Sequence, residues 1–350
     1  MNVGFYRYSL YNRGGDRLIV EYANHLATVG HDVTLYARDV KTMFSISRQV
    51  QVKRIPYPGK IGCLLYGATH NLNHDALIVD IIHLPLLLSL SNPVIYYAQA
   101  DDREYYDSKL VRMIIDLLYN IHFHRGNRIV SMSQHLTDIF RERYKQVQAH
   151  TIKTGIDHSI FYPEPDKQLI IEKSMKKSLL FMSRGDAYRK GHDIALKTFE
   201  SLGKDVIDKL ELWICGNSVD GNLFPFAVKN FGVVPDSRLR QILSSADIFF
   251  YPSRHEGFGL FPLEAMACGC AVVTTHAIPY AKTTASILSS TIGDIASLAR
   301  DITRLVTDDA VLKDHKIRSM EEASHYDIAR SKKDFELALS EILSSVQLCA

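Results

Sequence analysis

The chain has 350 residues, a formal net charge of +2 at pH 7, 46% hydrophobic residues and 23% charged residues. This length suits two domains that each bury a substantial core, and the composition is that of an ordinary globular protein. The small net charge and the lack of a dense Lys/Arg block argue against nucleic acid as a partner.

The five cysteines have no framework spacing, which favours reduced thiols and a cytoplasmic protein. Cys268 and Cys270 flank a glycine at a predicted helix end, and we interpret them as buried small hydrophobic residues, not as a metal or redox site. The amino-terminal sequence lacks the pattern of a secretory signal, and the apolar stretch 76–90 is interrupted by Asp80, His83 and Pro85. We therefore expect neither a secretory signal nor a transmembrane helix.

The first part of the chain alternates between strand and helix patterns. This alternation predicts a parallel sheet with helices on both faces, which is a doubly wound α/β domain. The predicted strands are 2–8, 31–37, the apolar run 76–82, 94–98 and 128–133, and the predicted helices are 18–29 and 108–123.

The composition changes at 161–177, where two prolines stand among charged residues, and a second α/β series begins after it. We therefore predict a first domain at 1–162, a second at 163–325 and a terminal amphipathic helix within 326–350. The elements predicted in the second series are strands 179–183, 210–215, 247–251 and 271–275, with a helix at 194–202 capped by Asp193.

The most informative segment of the sequence lies between the last two of these strands and reads EGFGLFPLE, from Glu256 to Glu264. Gly257 and Gly259 allow a tight backbone path, and Pro262 suits the first position of a new helix. The loop therefore lies at the carboxyl end of a strand and at the amino end of a helix, where α/β sheets bind ligands and unpaired amides favour anions. The pattern predicts a site for a phosphate-bearing ligand.

Each glutamate also has a structural explanation. Glu264 falls near the predicted third position of its helix, where glutamate stabilises the amino terminus. Glu256 can be interpreted as a solvated loop acid.

The whole string, followed by AMACGCAVVTT, resembles the motif of two glutamates separated by seven residues in retaining glycosyltransferases of family four (group 1). The resemblance implies a GT-B fold, with two Rossmann-like, doubly wound domains facing a central cleft and a terminal helix that crosses back to the first domain. It also implies transfer of a sugar from a nucleotide diphosphate sugar to a hydroxyl of a glycan, glycolipid or similar acceptor, with a role in polysaccharide biosynthesis.

Arg184 and Lys190 follow a predicted strand in the string RGDAYRKGHD, and they match the family's Arg followed by Lys-Gly. The resemblance implies that both cations hold the departing diphosphate, in place of a metal ion. It further implies that Glu256 binds hydroxyls of the donor sugar and Glu264 those of the ribose. The remaining donor contacts are assigned to the glycine loop, at Gly257, Phe258, Gly259 and Leu260.

Gly14 and Gly15 stand between the first predicted strand and its helix, where the family carries a Gly-Gly that faces the sugar and the acceptor. A tight turn is the alternative explanation. The loop is not G-x-G-x-x-G, which argues against a dinucleotide cofactor.

Two positions depart from the family pattern. Gln99 stands where many members have a histidine, and Tyr280, in HAIPYA, stands where they have an acid. Near Gln99, Asp101 is our candidate for a catalytic acid that orients or deprotonates the acceptor, with a solvated charge run as the alternative.

Helix 110–123 is very apolar and has Lys109 and Arg112 at its start. We interpret it as a core helix flanked by surface cations, and contact with a membrane that carries a lipid-linked acceptor is the alternative. In that case the protein would act at the inner face of the membrane.

The expected partners are a nucleotide-sugar donor and a glycan or lipid-linked acceptor, without nucleic acid and without a metal cofactor. The alternatives on the same fold are a sugar-nucleotide epimerase, a phosphorylase, and a non-catalytic subunit that binds a nucleotide sugar.

Overall fold

The computed structural model describes residues 1–89, 92–126, 128–145, 147–173, 175–183, 186–217, 219–221 and 224–347. The chain divides into two compact units: one contains Met1–Thr154 together with the residues from Ala329 onward, and the other is Gly155–Ile328. The first unit thus ends eight residues before the boundary predicted at 162. The reason is a parallel bridge between Ile156 and Asp327, which ties the intervening segment to the second unit.

The first unit contains a parallel sheet of seven strands in the order β5-β3-β1-β6-β7-β8-β9, and a separate parallel pair, β2 and β4. Its central strands are apolar and buried, as expected for a sheet covered on both faces. The strands are β1 (Asn2–Tyr6), β2 (Ser9–Leu10), β3 (Asp32–Ala37), β4 (Asp39–Val40), β5 (Val50–Arg54), β6 (Ala76–Val79), β7 (Val94–Ala98), β8 (Arg128–Ser131) and β9 (Ala149–Thr151). The helices are α1 (Gly14–Thr28), α2 (Gly59–Thr69), α3 (His83–Leu88), α4 (Lys109–His124) and α5 (Gln134–Arg143).

The second unit contains a parallel sheet of six strands in the order β12-β11-β10-β13-β14-β15. The chain runs outward from β10 to β12 and then returns to β13 on the other side of β10, so the strand order reverses between β10 and β13. The strands are β10 (Lys177–Ser183), β11 (Leu210–Gly216), β12 (Val228–Gly232), β13 (Ile248–Tyr251), β14 (Ala271–Thr275) and β15 (Leu288–Ser290). The helices are α6 (Lys167–Glu172), α7 (His192–Glu200), α8 (Lys204–Ile207), α9 (Asp236–Ser245), α10 (Leu260–Ala267), α11 (Ile295–Thr307) and α12 (Asp309–Ala323).

The last helix, α13 (Ile328–Gln347), packs against α1 of the first unit. The ring of Phe335 stacks on that of Tyr22 with centroids 4.3 Å apart, and the Tyr22 hydroxyl shares a 2.7 Å hydrogen bond with Ser331. Lys332 forms an ion pair with Glu21 at 2.6 Å. The carboxyl-terminal helix therefore contributes to the core of the first unit.

Two helices of the second unit begin earlier than predicted. Gly259 caps α10, so Pro262 is its third residue and not its first. A proline is still tolerated there because the first four amides of a helix have no partner within the helix. Gly191 caps α7, and Asp193 is the second residue of that helix and not its cap.

Within the ranges given above, no helix is both long enough and apolar enough to cross a membrane.

Candidate functional site

The candidate site of the second unit lies where the strand order reverses, at the carboxyl ends of β10 and β13. Ligands bind at such reversals in open α/β sheets because the loops on either side diverge there. The loop after β10 and the loop after β13 are joined by two hydrogen bonds to the carbonyl of Arg189, from the Arg254 amide at 2.8 Å and from the Ser253 hydroxyl at 3.1 Å. The two loops therefore form one local structure.

Gly191 allows the close approach of these loops. It has a φ of +72°, and a Cβ atom at this position would overlap the carbonyl oxygen of Pro252. Only glycine meets both requirements without strain. The contact places the adjacent Lys190 beside the end of β13.

Four side chains then meet in what we call the Glu256 cluster: Lys190, Tyr251, Ser253 and Glu256. The Oε1 atom of Glu256 accepts hydrogen bonds from Lys190 Nζ at 2.5 Å, from the Tyr251 hydroxyl at 2.8 Å and from the Ser253 hydroxyl at 2.8 Å. Lys190 Nζ also donates to the Tyr251 hydroxyl at 2.9 Å. The predicted pair of Lys190 and Glu256 is therefore in direct contact.

The cluster is largely shielded from water, since the side chains of Lys190 and Glu256 are only 15% and 12% exposed. Burial alone would raise the pKa of the Glu256 carboxyl. The ammonium of Lys190 and the hydrogen bonds from Lys190, Ser253 and Tyr251 more than offset burial, and they hold this pKa below its ordinary value. Glu256 is therefore an ionised carboxylate at neutral pH.

Arg254 also links the same two loops through its side chain. Its guanidinium donates to both carboxylate oxygens of Asp193, at 2.6 and 2.7 Å, and lies 4.0 Å from the ring centroid of Tyr188. The hydrogen bonds from Arg254 lower the pKa of Asp193. The acid predicted to cap α7 thus connects the two loops instead.

The glycine loop is fixed by its own contacts. Gly259 has a φ of +97°, and its carbonyl accepts a 2.5 Å hydrogen bond from the Tyr280 hydroxyl. Tyr280 is buried and packs against Phe258 with ring centroids 5.3 Å apart. The residue that replaces the family's acid therefore holds the loop backbone that leads into Leu260, the first residue of α10.

Glu264 is the fifth residue of α10 and is only 2% exposed. A glutamate that closes a capping box occupies the third helical position, so the predicted capping role does not fit the observed helix start. A carboxylate buried to this extent needs specific polar partners. The assignment of Glu264 to the ribose hydroxyls stays a prediction.

Arg184, the second predicted cation, lies outside the described residues, and its role stays a prediction. Among the residues that the structure does describe, no group of three or more His, Cys, Asp or Glu side chains is arranged to hold a metal ion.

The double glycine of the first unit begins α1. Gly15 is packed against Gln99: its carbonyl accepts a 3.1 Å hydrogen bond from Gln99 Nε2, and a Cβ atom on Gly15 would overlap Gln99 Oε1. Gly14 is the first residue of the helix. The glutamine at the family's histidine position is thus in contact with the double glycine at the carboxyl edge of the sheet.

Asp101 is buried and paired with Arg103, whose Nε lies 3.0 and 3.1 Å from the two carboxylate oxygens. Its neighbour Asp102 accepts a 2.8 Å hydrogen bond from the Ile82 amide, and burial raises the pKa of Asp102 to about 7. Both acids hold the turn that follows β7. These contacts favour a structural role for Asp101 over the predicted catalytic role.

Sequence reasoning missed Tyr251 and Ser253 as members of the site. Both stand within five residues of Glu256, and Tyr251 was predicted only as the end of a buried strand. A hydroxyl at the carboxyl end of a strand beside a predicted site was the available signal.

The two parallel α/β units match solved structures of the GT-B fold over nearly the whole chain. Sucrose-phosphate synthase from Thermosynechococcus elongatus has the same fold, with a TM-score of 0.82 and 16% identity over 99% of this chain and 100% of that one. HepE from Anabaena, solved in complex with UDP and glucose, matches with a TM-score of 0.77 and 15% identity over 97% of this chain and 99% of that one.

The family model described as glycosyl transferases group 1 matches residues 176–308, and that of glycosyltransferase family 4 matches residues 12–160. The two models describe the two halves of the same glycosyltransferases and together match most of the chain. The chain therefore belongs to the group 1 glycosyltransferases and is a sugar-transferring enzyme.

Curated relatives agree with this assignment. Mannosylfructose-phosphate synthase from Agrobacterium fabrum is 24% identical over 321 residues, which cover 74% of this chain and 70% of that protein. The N,N'-diacetylbacillosaminyl-diphospho-undecaprenol α-1,3-N-acetylgalactosaminyltransferase of Campylobacter jejuni is 27% identical over 183 residues, which cover 49% of this chain and 48% of that protein.

Proposed function

We propose that the protein transfers a sugar, with retention of anomeric configuration, from a nucleotide diphosphate sugar to a hydroxyl of a glycan or lipid-linked acceptor. The Glu256 cluster carries this proposal, because it places a cation and an ionised carboxylate side by side where the strand order reverses. The structure of HepE with UDP and glucose is consistent with a donor of this class on the same fold.

Lys190 is assigned to the diphosphate. During transfer the bond between the anomeric carbon and the diphosphate breaks, and negative charge develops on the leaving oxygen. A fixed cation in a site that excludes most water stabilises that charge strongly. Amides of the loop from Gly257 to Leu260, at the start of α10, would add donors of the kind that bind phosphate at helix amino termini.

Glu256 is assigned to hydroxyls of the donor sugar and Glu264 to those of the ribose. A bound diphosphate would compete with Glu256 for the ammonium of Lys190, because both anions need the same cation. Tyr251 and Ser253 would keep the Glu256 carboxylate in place during that exchange, since each holds Oε1 at 2.8 Å. No metal ion is part of this proposal.

Steady-state transfer by Lys190→Ala and Glu256→Ala tests the assignment. We expect kcat/KM to fall by roughly a hundredfold or more in each variant, because each removes a group that acts on the reacting sugar or on the leaving diphosphate. Lys197→Ala and Glu200→Ala are matched controls, since these residues lie exposed on the neighbouring α7 and should keep wild-type rates. Wild-type rates in both site variants would refute the proposal.

The donor is identified by measuring binding and slow hydrolysis with UDP-, GDP-, dTDP- and ADP-sugars. The anomeric configuration of the first product, read by NMR before mutarotation, tests retention, and an inverted product contradicts it. Turnover that needs free phosphate, or that proceeds without an acceptor to an epimerised nucleotide sugar, would indicate one of the alternative reactions.

A further inference from the structure

Helix α4 of the first unit has a large apolar surface that no other part of the described chain covers. Four exposed apolar residues of this helix are spaced i, i+3, i+4 and i+7, and we call them the α4 face: Leu110, Met113, Ile114 and Leu117. They are 67%, 65%, 49% and 58% exposed, respectively. Isolated exposed apolar residues are common, but a continuous helical stripe of this size indicates an interaction surface.

The opposite side of α4 is apolar as well, and it is already used. Ile115, Tyr119 and Phe123 are buried in the core of the first unit. A helix that is apolar on two opposite sides needs an apolar environment on both. The interpretation of α4 as a core helix flanked by surface cations is therefore wrong for half of its surface.

Further exposed apolar side chains lie on elements near α4. Helix α3 contacts both α2 and α4, so the three helices lie side by side. Ile61 and Leu65 project from α2 as exposed residues, and Tyr105 and Tyr106 are exposed just before α4 begins. Tyrosines at the border of an apolar surface suit a boundary between hydrocarbon and water, because the ring is apolar and the hydroxyl polar.

The charges around the α4 face are mainly positive. Lys109 is exposed in the first turn of the helix, and Arg125 is exposed directly after its last turn. Arg112 is also exposed, but the helical period places it on the side opposite to the α4 face. Asp107 is an exposed acid nearby, whereas Asp116 is engaged by Arg103 and by the Tyr144 hydroxyl. Cations at both ends of an apolar helical face complement a surface that is apolar inside and anionic at its edge.

We propose that the α4 face binds peripherally to the surface of an anionic lipid bilayer, with Leu110, Met113, Ile114 and Leu117 in the interfacial region and Lys109 and Arg125 on the headgroups. Apolar burial and attraction to anionic lipids together give this kind of binding. A lipid membrane suits the charge pattern better than a second copy of the chain, because an isologous contact would bring the same cations towards one another. The α4 face belongs to the first unit and the Glu256 cluster to the second, and the membrane proposal does not rest on the proposed donor site.

Co-sedimentation of the full chain with vesicles tests the proposal. We expect the wild-type protein to sediment with vesicles of phosphatidylcholine and phosphatidylglycerol, and much less with phosphatidylcholine alone. Leu110→Gln, Met113→Gln and Leu117→Gln combined should weaken partitioning by at least roughly a hundredfold, because each leaves a polar group in the interfacial region. Lys109→Glu, which reverses a cation at one end of the face, should weaken it by roughly 10- to 30-fold.

The matched control is Ile171→Gln with Met175→Gln, which changes two exposed apolar residues of the second unit and should leave partitioning unchanged. All variants should keep the wild-type Tm, because the substituted side chains are exposed. Equal loss in the control, or no sedimentation of the wild type with anionic vesicles, overturns the proposal. A further outcome also overturns it: the triple variant of Leu110, Met113 and Leu117 still binds vesicles, and sedimentation velocity shows that the wild type is a dimer and this variant a monomer. The α4 face would then bind a second copy of the chain.

Discussion

Lys190 Nζ lies 2.5 Å from Glu256 Oε1, although 66 positions separate the two residues in the chain. The contact exists because β10 and β13 are neighbours in the sheet and their following loops meet at Gly191 and Pro252. Because the site is largely shielded from water, burial of the Lys190 ammonium is compensated by the Glu256 carboxylate, and burial of the carboxylate by the ammonium.

Tyr251→Phe should destabilise the protein and impair transfer. The substitution removes one of the three donors to Glu256 and one partner of Lys190 while it keeps the buried ring. We expect the free energy of unfolding to fall by about 1.5–3 kcal/mol, the range for hydrogen bonds to charged groups, and kcat to fall several-fold. Urea unfolding and initial rates measure the two effects.

The control for that substitution is Tyr188→Phe, since Tyr188 is 61% exposed and its ring contact with Arg254 would remain. Equal stability of Tyr251→Phe and wild type would show that the Tyr251 hydroxyl does not support Glu256.

Glu256→Gln should lower the free energy of unfolding by an amount that depends on pH. Near neutral pH it leaves Lys190 as a buried charge without its carboxylate, and we expect a loss of about 3 kcal/mol. The folded-state pKa of Glu256 lies below its ordinary value of 4.5, so its contribution to stability is present above 4.5 and is lost as the pH falls through the folded-state pKa.

The stability difference between wild type and Glu256→Gln should therefore be constant near neutrality and shrink in acid. Urea midpoints of both proteins, measured from about pH 7 to about pH 2.5, check the trend. A difference that grows in acid would contradict the assigned direction of the pKa shift.

Gly191→Ala should lower both the stability and the transfer rate much more than Gly232→Ala does. Both glycines have left-handed backbone angles, with φ of +72° and +69°, so both variants carry a strain of about 1–2 kcal/mol. Only at Gly191 would the new Cβ overlap another atom, the carbonyl oxygen of Pro252, whereas Gly232 has open space around it. We expect an extra loss of about 1–3 kcal/mol and a large drop in transfer for Gly191→Ala. Similar Tm and rates in the two variants would disprove the role of the loop contact.

Gly15→Ala should be rescued by a second substitution. The Cβ atom on residue 15 would overlap only the Gln99 side chain, which is flexible, so Gln99→Ala in the same protein should restore most of the lost stability. A double-mutant cycle by thermal unfolding should give a coupling of about 1–2 kcal/mol. Additive effects would show that the two residues do not constrain each other.

Transfer should persist in EDTA. The proposed mechanism assigns the leaving diphosphate to Lys190 and to loop amides, so removal of divalent ions should change kcat by less than about twofold. A metal ion that stabilised the same charge would contribute several kcal/mol to the stability of the transition state, and its removal would lower kcat far more. The measurement is the initial rate after dialysis against chelator, compared with the same protein after MgCl₂ is added back. Loss of activity that Mg²⁺ restores would contradict the assignment.

Local patterns in the sequence were enough to predict the α/β class and the main strands. The strands β7, β13 and β14 are short apolar runs between turn residues, and the structure places them within one residue of the predicted bounds. The edge strand β5 was not predicted, because four of its five residues are exposed and it lacks an apolar run. The starts of α7 and α10 were misplaced because each is capped by a glycine with positive φ, which has no apolar signature.

The sequence by itself determined the family motif, its two glutamates and the lysine, since these are residue types at fixed spacings. The tertiary structure decided which of them touch, and it added Tyr251 and Ser253 to the cluster, assigned Asp101 to a pair with Arg103 and gave Tyr280 a structural contact. It also decided which side of α4 is exposed. The physical reason is that strand order and helix packing set these contacts, and neither is a property of a short stretch of chain.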